Sequence, residues 1–281
     1  MVDPFTAAAA NEVAKAGGGV LSRLLGPTAD VMGAQLHEWY TRKNVERVAK
    51  RAEAKANTAS NGAVPSRVAA EVFSKAQWAD DEFVAEYLSG VLATARTPDG
   101  KDDRAVTWTA LVGRLSADQL RLHYVLYRAI RELGLNVEHD AIVEILARPL
   151  VFAFTDLLAV MDIPASHEGA VRLLDAVYGL QAEGLIADDL AHGEPEYLEK
   201  IRRGHTFPKA YGNLLIVAGT TRGAALFLQA HGLGQLWAGA IVRPELDLSI
   251  EWPEGQGVPP VTTATLSDYR KLAPGPDTAL G

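Results

Sequence analysis

Apolar residues recur every three or four positions through the first half of the chain, which is the spacing of amphipathic helices. A long helix is predicted to begin at Pro27, where a proline suits the first turn, and Met32, Leu36 and Trp39 form its apolar stripe. Beyond Trp39 the apolar positions move to another face, over residues 45–52. This helix is therefore expected to leave its first contact surface and project, or to meet a partner.

Shorter helices follow the long one. One is predicted from Pro65 to residue 76, and Asp80 is the expected N-cap of the next, which ends near Ala95. A strongly patterned pair comes after them: the apolar face of the first runs from Trp108 to Leu115, and that of the second from Leu122 to Leu133. Ser116 and Gln119 have the spacing of a capping box, in which each side chain bonds the backbone of the other. These patterns predict an all-helical N-terminal part.

The second half of the chain mixes helix and strand signals. The apolar run 149–161 fits a buried helix or a buried strand, and its pattern does not decide between them. Ser166 is the expected cap of a helix that ends at Gly184, and the β-like run 214–217 leads into Thr220 and a last helix. This order resembles a winged-helix unit, with the polar, loop-like residues 187–212 in the place of the wing.

The predicted fold is mostly α, with a helical N-terminal part followed by a winged-helix-like C-terminal α+β part. The expected segments are a flexible or amphipathic segment at residues 1–25, a helical domain at 26–135, a winged-helix-like domain at 136–243, and a loose, proline- and glycine-rich tail at 244–281.

Composition narrows the class of protein. The 281 residues are 48% hydrophobic and 22% charged, as in an ordinary globular protein. The absence of cysteine excludes disulfides, thiolate metal sites and cysteine nucleophiles, and favours a cytoplasmic location. The apolar stretch 213–242 is interrupted by Arg222, His231 and several glycines, so a membrane span is not expected.

Charge is segregated along a chain whose net charge is −8. Residues 42–55 hold six bases and two acids, whereas residues 80–103 hold seven acids and two bases. Both runs fit solvated helix faces. Alternatively, the basic segment contacts an acidic surface, either its own or a partner's. Aromatic and basic residues meet only at its start, which makes this helix the candidate contact site for a partner or for nucleic acid: Trp39, Tyr40, Arg42, Lys43, Arg47, Lys50, Arg51 and Lys55.

No pattern for catalysis is visible. No two histidines have the spacing of a zinc-binding helix, no serine lies in a Gly-x-Ser-x-Gly turn, and no glycine-rich loop leads to the lysine of a phosphate-binding loop. The adjacent acids Asp80, Asp81 and Glu82 point apart on a helix and suit its first turn. We therefore predict no catalytic residue, no metal site and no cofactor.

Several short motifs resemble, in order, the abortive-infection alpha (Abi-alpha) family of bacterial phage-resistance proteins. They are residues 26–33, Trp39 to Asn44, Val64-Pro65, residues 79–82 with 88–93, Leu115-Ser116, residues 184–186 and residues 220–223. The resemblance covers roughly residues 20–230, and the insert 187–212 and the residues after 243 depart from it. It implies a role in phage defence without an agreed biochemical activity and without catalytic residues to transfer.

Three functions remain open at this point. The first is a cytoplasmic, bacterial or phage-associated defence protein of the abortive-infection type, which acts by protein interaction or self-assembly rather than catalysis. The second is a nucleic-acid-binding module that uses the basic helix 42–55 and the winged-helix part. The third is a membrane-active toxin that uses residues 4–25 and 213–242.

Overall fold

The structure is a computed structural model that describes residues 19–30, 43–56, 61–135, 142–250 and 263–271. It is mostly helical with a small antiparallel sheet, as the sequence predicts. Residues 19–25 are helical too. The labelled helices are α1 Lys43–Lys55, α2 Ser66–Ala76, α3 Glu82–Thr94, α4 Ala105–Val112, α5 Ala117–Leu135, α6 Ile142–Leu146, α7 Phe154–Val160, α8 His167–Ala182, α9 Pro195–Ile201 and α10 Thr221–Ala230. The strands are β1 Leu150–Ala153, β2 Ala191–Gly193, β3 Leu214–Val217 and β4 Thr263–Thr265.

The chain divides into two compact units, and each is discontinuous in sequence. Unit 1 comprises residues 1–121 and 225–255, and unit 2 comprises residues 122–224 and 256–281. This division differs from the expected boundary near residue 135. It also assigns residues 225–243 to the same unit as the N-terminal helices rather than to the winged-helix-like part.

Helix α3 is the centre of unit 1. Nine of its thirteen residues are buried, from Phe83 to Ala93, and α1, α2 and α4 all pack against it. Its N-cap is Asp81, whose side chain accepts hydrogen bonds from the backbone of Phe83 and Val84. The cap therefore lies one residue later than the predicted Asp80, which instead accepts a bond from Asn44 at 2.7 Å.

Helix α3 also comes into direct contact with the backbone of residues 229 and 230. A Cβ built on Gly90 would overlap the carbonyl groups of Gln229 and Ala230, so only glycine allows this approach. Earlier in the unit, residues 19–25 bury Val20, Leu21, Leu24 and Leu25. The part of the segment 1–25 that the structure describes is thus a packed helix, and residues 1–18 lie outside the described parts.

Unit 2 contains one sheet with the order β2-β3-β1-β4, in which every pair is antiparallel. β1 is central, since Leu150 lies opposite Val217 on one side and Thr265 on the other. The undecided run 149–161 proves to be both alternatives in succession, strand β1 and then helix α7. All four residues of β1 and of β3 are buried, so neither strand shows the alternation of a one-sided sheet.

Two expected loops contain regular structure. The segment 187–212 includes β2, helix α9 and a 3₁₀ turn at Lys209–Tyr211, although the sequence analysis predicts a loop. The expected tail 244–281 supplies β4 and the 3₁₀ helix Leu266–Tyr269, and Leu266 packs into a core cluster with Phe207 and Ile216. Residues 251–262 and 272–281 lie outside the described parts.

A buried tyrosine joins three segments of unit 2. The Tyr127 hydroxyl on α5 lies 2.6 Å from the Leu185 carbonyl oxygen and 3.1 Å from that of Thr220, and it accepts a bond from Thr220 N at 2.8 Å. Gly223 leaves room for this ring, because a Cβ there would overlap the Tyr127 hydroxyl. The Thr220 side chain in turn caps the start of α10 by accepting from Gly223 N.

Candidate functional site

The structure describes five of the eight predicted contact residues, and all five lie on α1. Trp39, Tyr40 and Arg42 lie outside the described residues. Lys43, at the start of α1, is exposed, and the Lys50 side chain is 60% exposed while it pairs with Glu46 at 2.6 Å. Of the five predicted contact residues that the structure describes, Lys43 and Lys50 are the two whose charged groups face solvent.

Arg47 and Arg51 point to the acidic start of α3. Arg47 Nη1 lies 2.5 Å from one carboxylate oxygen of Glu82, and Arg51 Nη2 lies 2.5 Å from the other. Arg47 also donates to the Ala79 carbonyl oxygen. Both arginines are partly buried by these contacts. The basic helix therefore contacts an acidic surface of its own chain, which is one of the two alternatives that the charge pattern allows.

Lys55, at the end of α1, is enclosed by four acceptors. Its Nζ lies 2.6 Å from Glu86 Oε1 and donates to Ser89 Oγ at 3.0 Å and to the Ala230 carbonyl oxygen at 2.8 Å, with the Glu86 carbonyl as a further acceptor. Burial lowers the pKa of Lys55 to about 8, although the Glu86 carboxylate opposes this shift. Lys55 thus ties α1 to α3 and to the last turn of α10.

The neighbouring lysine and serine are a pair that some hydrolases use for nucleophilic catalysis. Here, however, Ser89 is fully buried and its hydroxyl donates to the Glu86 carbonyl oxygen at 2.7 Å. A substrate has no access to this oxygen in the conformation that the structure describes. The arrangement links helices and offers no open reaction centre.

A second candidate site lies in unit 2, where exposed aromatic side chains meet. The Tyr178 hydroxyl on α8 lies 2.8 Å from His192 Nε2 on β2, and the two rings meet edge to face with centroids 5.9 Å apart. Tyr197, at the start of α9, lies against Gly193, since a Cβ built on Gly193 would be 3.0 Å from the Tyr197 ring. Tyr178 and His192 are therefore in direct contact, and Tyr197 lies beside Gly193, the next residue of β2.

Apolar side chains extend this group along both helices. Val171 lies seven residues before Tyr178 on the same face of α8, and Ile201 lies one turn after Tyr197 on α9. Val171, Tyr178, Tyr197 and Ile201 are all between 46% and 54% exposed. We call the set Val171, Tyr178, His192, Tyr197 and Ile201 the aromatic surface.

The aromatic surface has little positive charge around it. On α8, Glu168 and Asp175 outnumber Arg172. The segment 187–212 has five acids and four bases, and two of these bases are held in ion pairs within the segment: Arg202 with Asp189 at 2.6 Å and Lys209 with Glu196 at 2.8 Å. Nucleic acid attracts proteins mainly through its phosphates, and this surface offers few unpaired cations to bind them.

Sequence reasoning missed the aromatic surface for an identifiable reason. Val171 and Tyr178 fit the apolar stripe of α8 by spacing, and the sequence analysis treats that helix as an ordinary packed one. The structure instead buries Leu173, Val177 and Leu180. The signal in the sequence was the seven-residue spacing of Val171 and Tyr178, which indicates a second apolar face beside the buried stripe of α8.

Neither metal binding nor membrane crossing finds a structural basis in the described parts of the chain. No three histidine, aspartate or glutamate side chains there are grouped to hold an ion. No helix among the described residues combines the length and the apolar character that crossing a bilayer requires. The apolar stretch 213–242 is divided among β3, α10 and the 3₁₀ helix Ala238–Val242.

Comparisons of the chain with protein-family models, with curated proteins and with solved structures give no match.

Proposed function

We propose that the protein acts by binding another protein through the aromatic surface of unit 2, within a winged-helix-like module. The support is topological. β1, α7, α8, β2 and β3 follow one another, and the sheet order β2-β3-β1 with antiparallel pairs is that of a winged-helix unit. In this arrangement α8 takes the position of the recognition helix, and residues 194–213 take the position of the wing.

The chemistry of α8 carries the proposal. A helix that reads DNA presents arginine or lysine to phosphates and base edges. The outward positions of α8 instead carry Val171 and Tyr178, each nearly half exposed, beside Glu168 and Asp175. Aromatic residues with few surrounding cations are typical of protein–protein contacts, where a ring supplies large area at low entropic cost.

The biological setting that we propose is phage defence of the abortive-infection type in the bacterial cytoplasm. The support is the ordered resemblance to the Abi-alpha family together with the absence of cysteine. Several of the resembling residues have structural roles. Asp81 caps α3, Ser116 exchanges bonds with Gln119 at the start of α5, and Thr220 caps α10. Motifs that maintain a scaffold are what an interaction protein requires.

The test is a phage challenge of bacteria that express the full chain. We expect at least a tenfold fall in plaques with the natural sequence and loss of protection with the double substitution Val171→Asp and Tyr178→Asp, because two charges on this face prevent apolar docking. Val143→Asp is the matched control, since Val143 is also exposed and lies in unit 2 on α6. Equal protection by the double variant, or none by the natural sequence against a broad phage panel, contradicts the proposal.

Photocrosslinking then identifies the contact directly. A benzophenone amino acid in place of Val171 is expected to crosslink a distinct protein during infection, while the same amino acid in place of Val143 does not. The crosslinked protein must then bind the purified natural chain and fail to bind the double variant. Equal crosslinking from both positions would show that the α8 face is not selective.

Nucleic acid is the second candidate, because the winged-helix order is also that of many DNA-binding modules and because Lys43 and Lys50 remain exposed. If DNA is the ligand, its binding to the purified protein weakens steeply with salt, in proportion to the phosphates that are neutralised. Fluorescence anisotropy with duplex DNA at low salt decides this point, and absence of binding there excludes it.

A further inference from the structure

A small depression in unit 1 has a chemistry that the interaction function does not use. Its volume is about 350 Å³, near the lower end of the size of small-molecule sites. The end of α3, the start of α4, the middle of α10 and residues 234–235 line it. Trp108, Arg104 and the two glutamines, Gln229 and Gln235, supply its largest side chains.

Gln229 is the unusual member of this lining. It is only 5% exposed, and its Oε1 has no hydrogen-bond partner among the described residues. Buried polar atoms are nearly always bonded, and an unbonded one costs roughly 1–3 kcal/mol. Gly234 leaves room for the carboxamide, because a Cβ there would overlap it. The oxygen is enclosed in the free protein, so a bound donor satisfies it once the carboxamide turns towards the depression.

Trp108 gives the same depression an aromatic wall. It lies near the middle of α4 and is partly exposed, while Ala105 and Ala225 complete the lining with small apolar groups. Asp102 and Arg104 also line it, but they pair with each other at 2.5 Å and so leave no net charge. A neutral, planar group with a hydrogen-bonding edge matches this combination of ring and amide.

The depression continues into a second one of about 340 Å³, because Thr94, Thr97 and Gln235 line both. The lining of the second contains two cations, Lys55 and Arg96, and no acid. The charge of Lys55 is balanced by the Glu86 carboxylate at 2.6 Å, so the positive potential of this end comes from Arg96, which donates to the Leu24 carbonyl oxygen. The two depressions thus form one groove with a neutral aromatic end and a positive end.

We propose that this groove binds an adenine nucleotide, with the base against Trp108 and Gln229 and the phosphate towards Arg96. A glutamine amide is complementary to adenine, since its oxygen accepts from the exocyclic N6 amine while its NH₂ donates to N7. Binding of the nucleotide in this way does not require a phosphate-binding loop, and the sequence shows no pattern for one. This inference is independent of the proposed protein contact, which lies in unit 2.

The experiment is calorimetric titration of the full-length protein with AMP, with adenosine, GMP and inorganic phosphate as comparison ligands. We expect AMP to bind with a Kd of about 1–100 µM and GMP at least about tenfold more weakly. AMP affinity should exceed that of adenosine by at least about fivefold at low salt, and this difference should shrink as salt screens the positive end.

Substitutions locate the binding. Gln229→Leu is expected to reduce AMP affinity at least about tenfold without lowering Tm, because it removes the unbonded oxygen from the free protein. Trp108→Leu should weaken AMP similarly, while Trp78→Leu, at a residue 80% exposed and outside this lining, should leave binding unchanged.

Three results would overturn the proposal. The first is the absence of AMP binding at millimolar concentration. The second is AMP binding that neither Gln229→Leu nor Trp108→Leu weakens, which would place the nucleotide elsewhere. The third is equal affinity for AMP and adenosine, which would remove the assigned role of the positive end.

Discussion

Tyr127 shows how a single hydroxyl can organise a segment of unit 2. It bridges Leu185, which follows the turn at Gly184, and Thr220, which precedes α10. Burial raises the pKa of Tyr127 to about 12, so the hydroxyl keeps its proton at every physiological pH. The sequence could predict Thr220 at the start of a helix, but the tyrosine lies about ninety residues away and gives no local signal.

Tyr127→Phe is expected to lower the free energy of unfolding by about 2–3 kcal/mol, because the Leu185 carbonyl and the Thr220 amide lose a buried partner. Urea unfolding measures this loss. The control is Tyr211→Phe, the same chemical change at an exposed residue, for which we expect about 0.5 kcal/mol or less. An equal effect of the two substitutions would refute the role of the Tyr127 hydroxyl.

His231 gives a pH dependence whose sign follows from its burial. Its Nδ1–H donates to the Phe227 carbonyl at 2.7 Å, and desolvation lowers the pKa of His231 from 6.5 to about 4. Between these values the unfolded chain binds a proton that the folded chain does not. The free energy of unfolding therefore falls as the pH drops from about 6.5 towards 4.

Urea unfolding at pH 7, 6, 5 and 4.5 is expected to show a smaller loss of stability on acidification in His231→Asn than in the natural chain. His205→Asn is the control, as a histidine that is less buried. Parallel curves for the natural chain and the His231 variant would show that this imidazole does not cause the pH dependence.

At the scale of elements, close packing in unit 1 depends on Gly90. Gly90→Ala is expected to destabilise the protein by about 2–3 kcal/mol, because the backbone carbonyls of Gln229 and Ala230 cannot move aside as a side chain would. This loss exceeds the gain of roughly 1 kcal/mol from better helix propensity. Hydrogen exchange of α3 amides reports the effect.

Gly113→Ala is the matched control for this position. Gly113 ends α4 with helical dihedral angles, and a Cβ there meets only the flexible end of Lys75. We expect this variant to be neutral, or more stable by a few tenths of a kcal/mol. Slower exchange in Gly90→Ala than in the natural chain would show that α3 has room for a methyl group.

The ion pairs that α1 makes, within itself and to α3, differ in their contribution to stability according to their burial. Glu86→Gln is expected to cost about 3 kcal/mol, because it leaves the largely enclosed Lys55 ammonium without its carboxylate. Glu46→Gln, next to the exposed Lys50, should cost about 0.5 kcal/mol or less and should matter less at high salt. Urea unfolding at two salt concentrations compares them, and equal costs would contradict the assigned burial of Lys55.

Element prediction succeeds where the pattern is local. The capping box of Ser116 and Gln119 is confirmed, with both reciprocal bonds at the start of α5. The helix from Ser166 is confirmed as well, since Ser166 accepts from Gly169 N. Prediction does not decide β1, where a buried strand runs directly into α7, and it misses β2 and β4, which are only three residues long.

The candidate sites, too, could be predicted only as far as local pattern allows. The charge pattern predicts that residues 42–55 and 80–103 are complementary, and Glu82 and Glu86 do pair with α1. The pattern cannot tell an internal contact from a contact with a partner. That choice depends on how α1 and α3 pack in three dimensions. Gln229 reads as an ordinary polar interruption of an apolar helix, and only its burial without a partner distinguishes it.

At the scale of the whole molecule, strand β4 and the turn after it connect residues 263–271 to the core of unit 2. Leu266→Ala is expected to destabilise unit 2 by about 2–3 kcal/mol through lost burial. Faster hydrogen exchange in β1 and β3 is the measurement. Lys271→Ala, at an exposed position, is the control, and unchanged exchange in Leu266→Ala would show that the expected loose tail describes this segment after all.

The division into units is the part of the fold that the sequence could least predict. Residues 225–250 continue an apolar run that begins in unit 2, yet they pack with the N-terminal helices of unit 1. Nothing in their local pattern specifies a partner more than a hundred residues away. Such pairings arise from shape, as at Gly90, and not from periodicity.

This discontinuity has a consequence for biosynthesis. Multidomain chains commonly fold from the N-terminus while the ribosome is still translating them. We expect unit 1 to complete its fold late, because the nascent helices α1 to α4 lack residues 225–250 of the same unit until most of the chain has been synthesised. Truncated translation products would expose the face of α3 around Gly90. We expect chaperones to bind such products and proteases to degrade them.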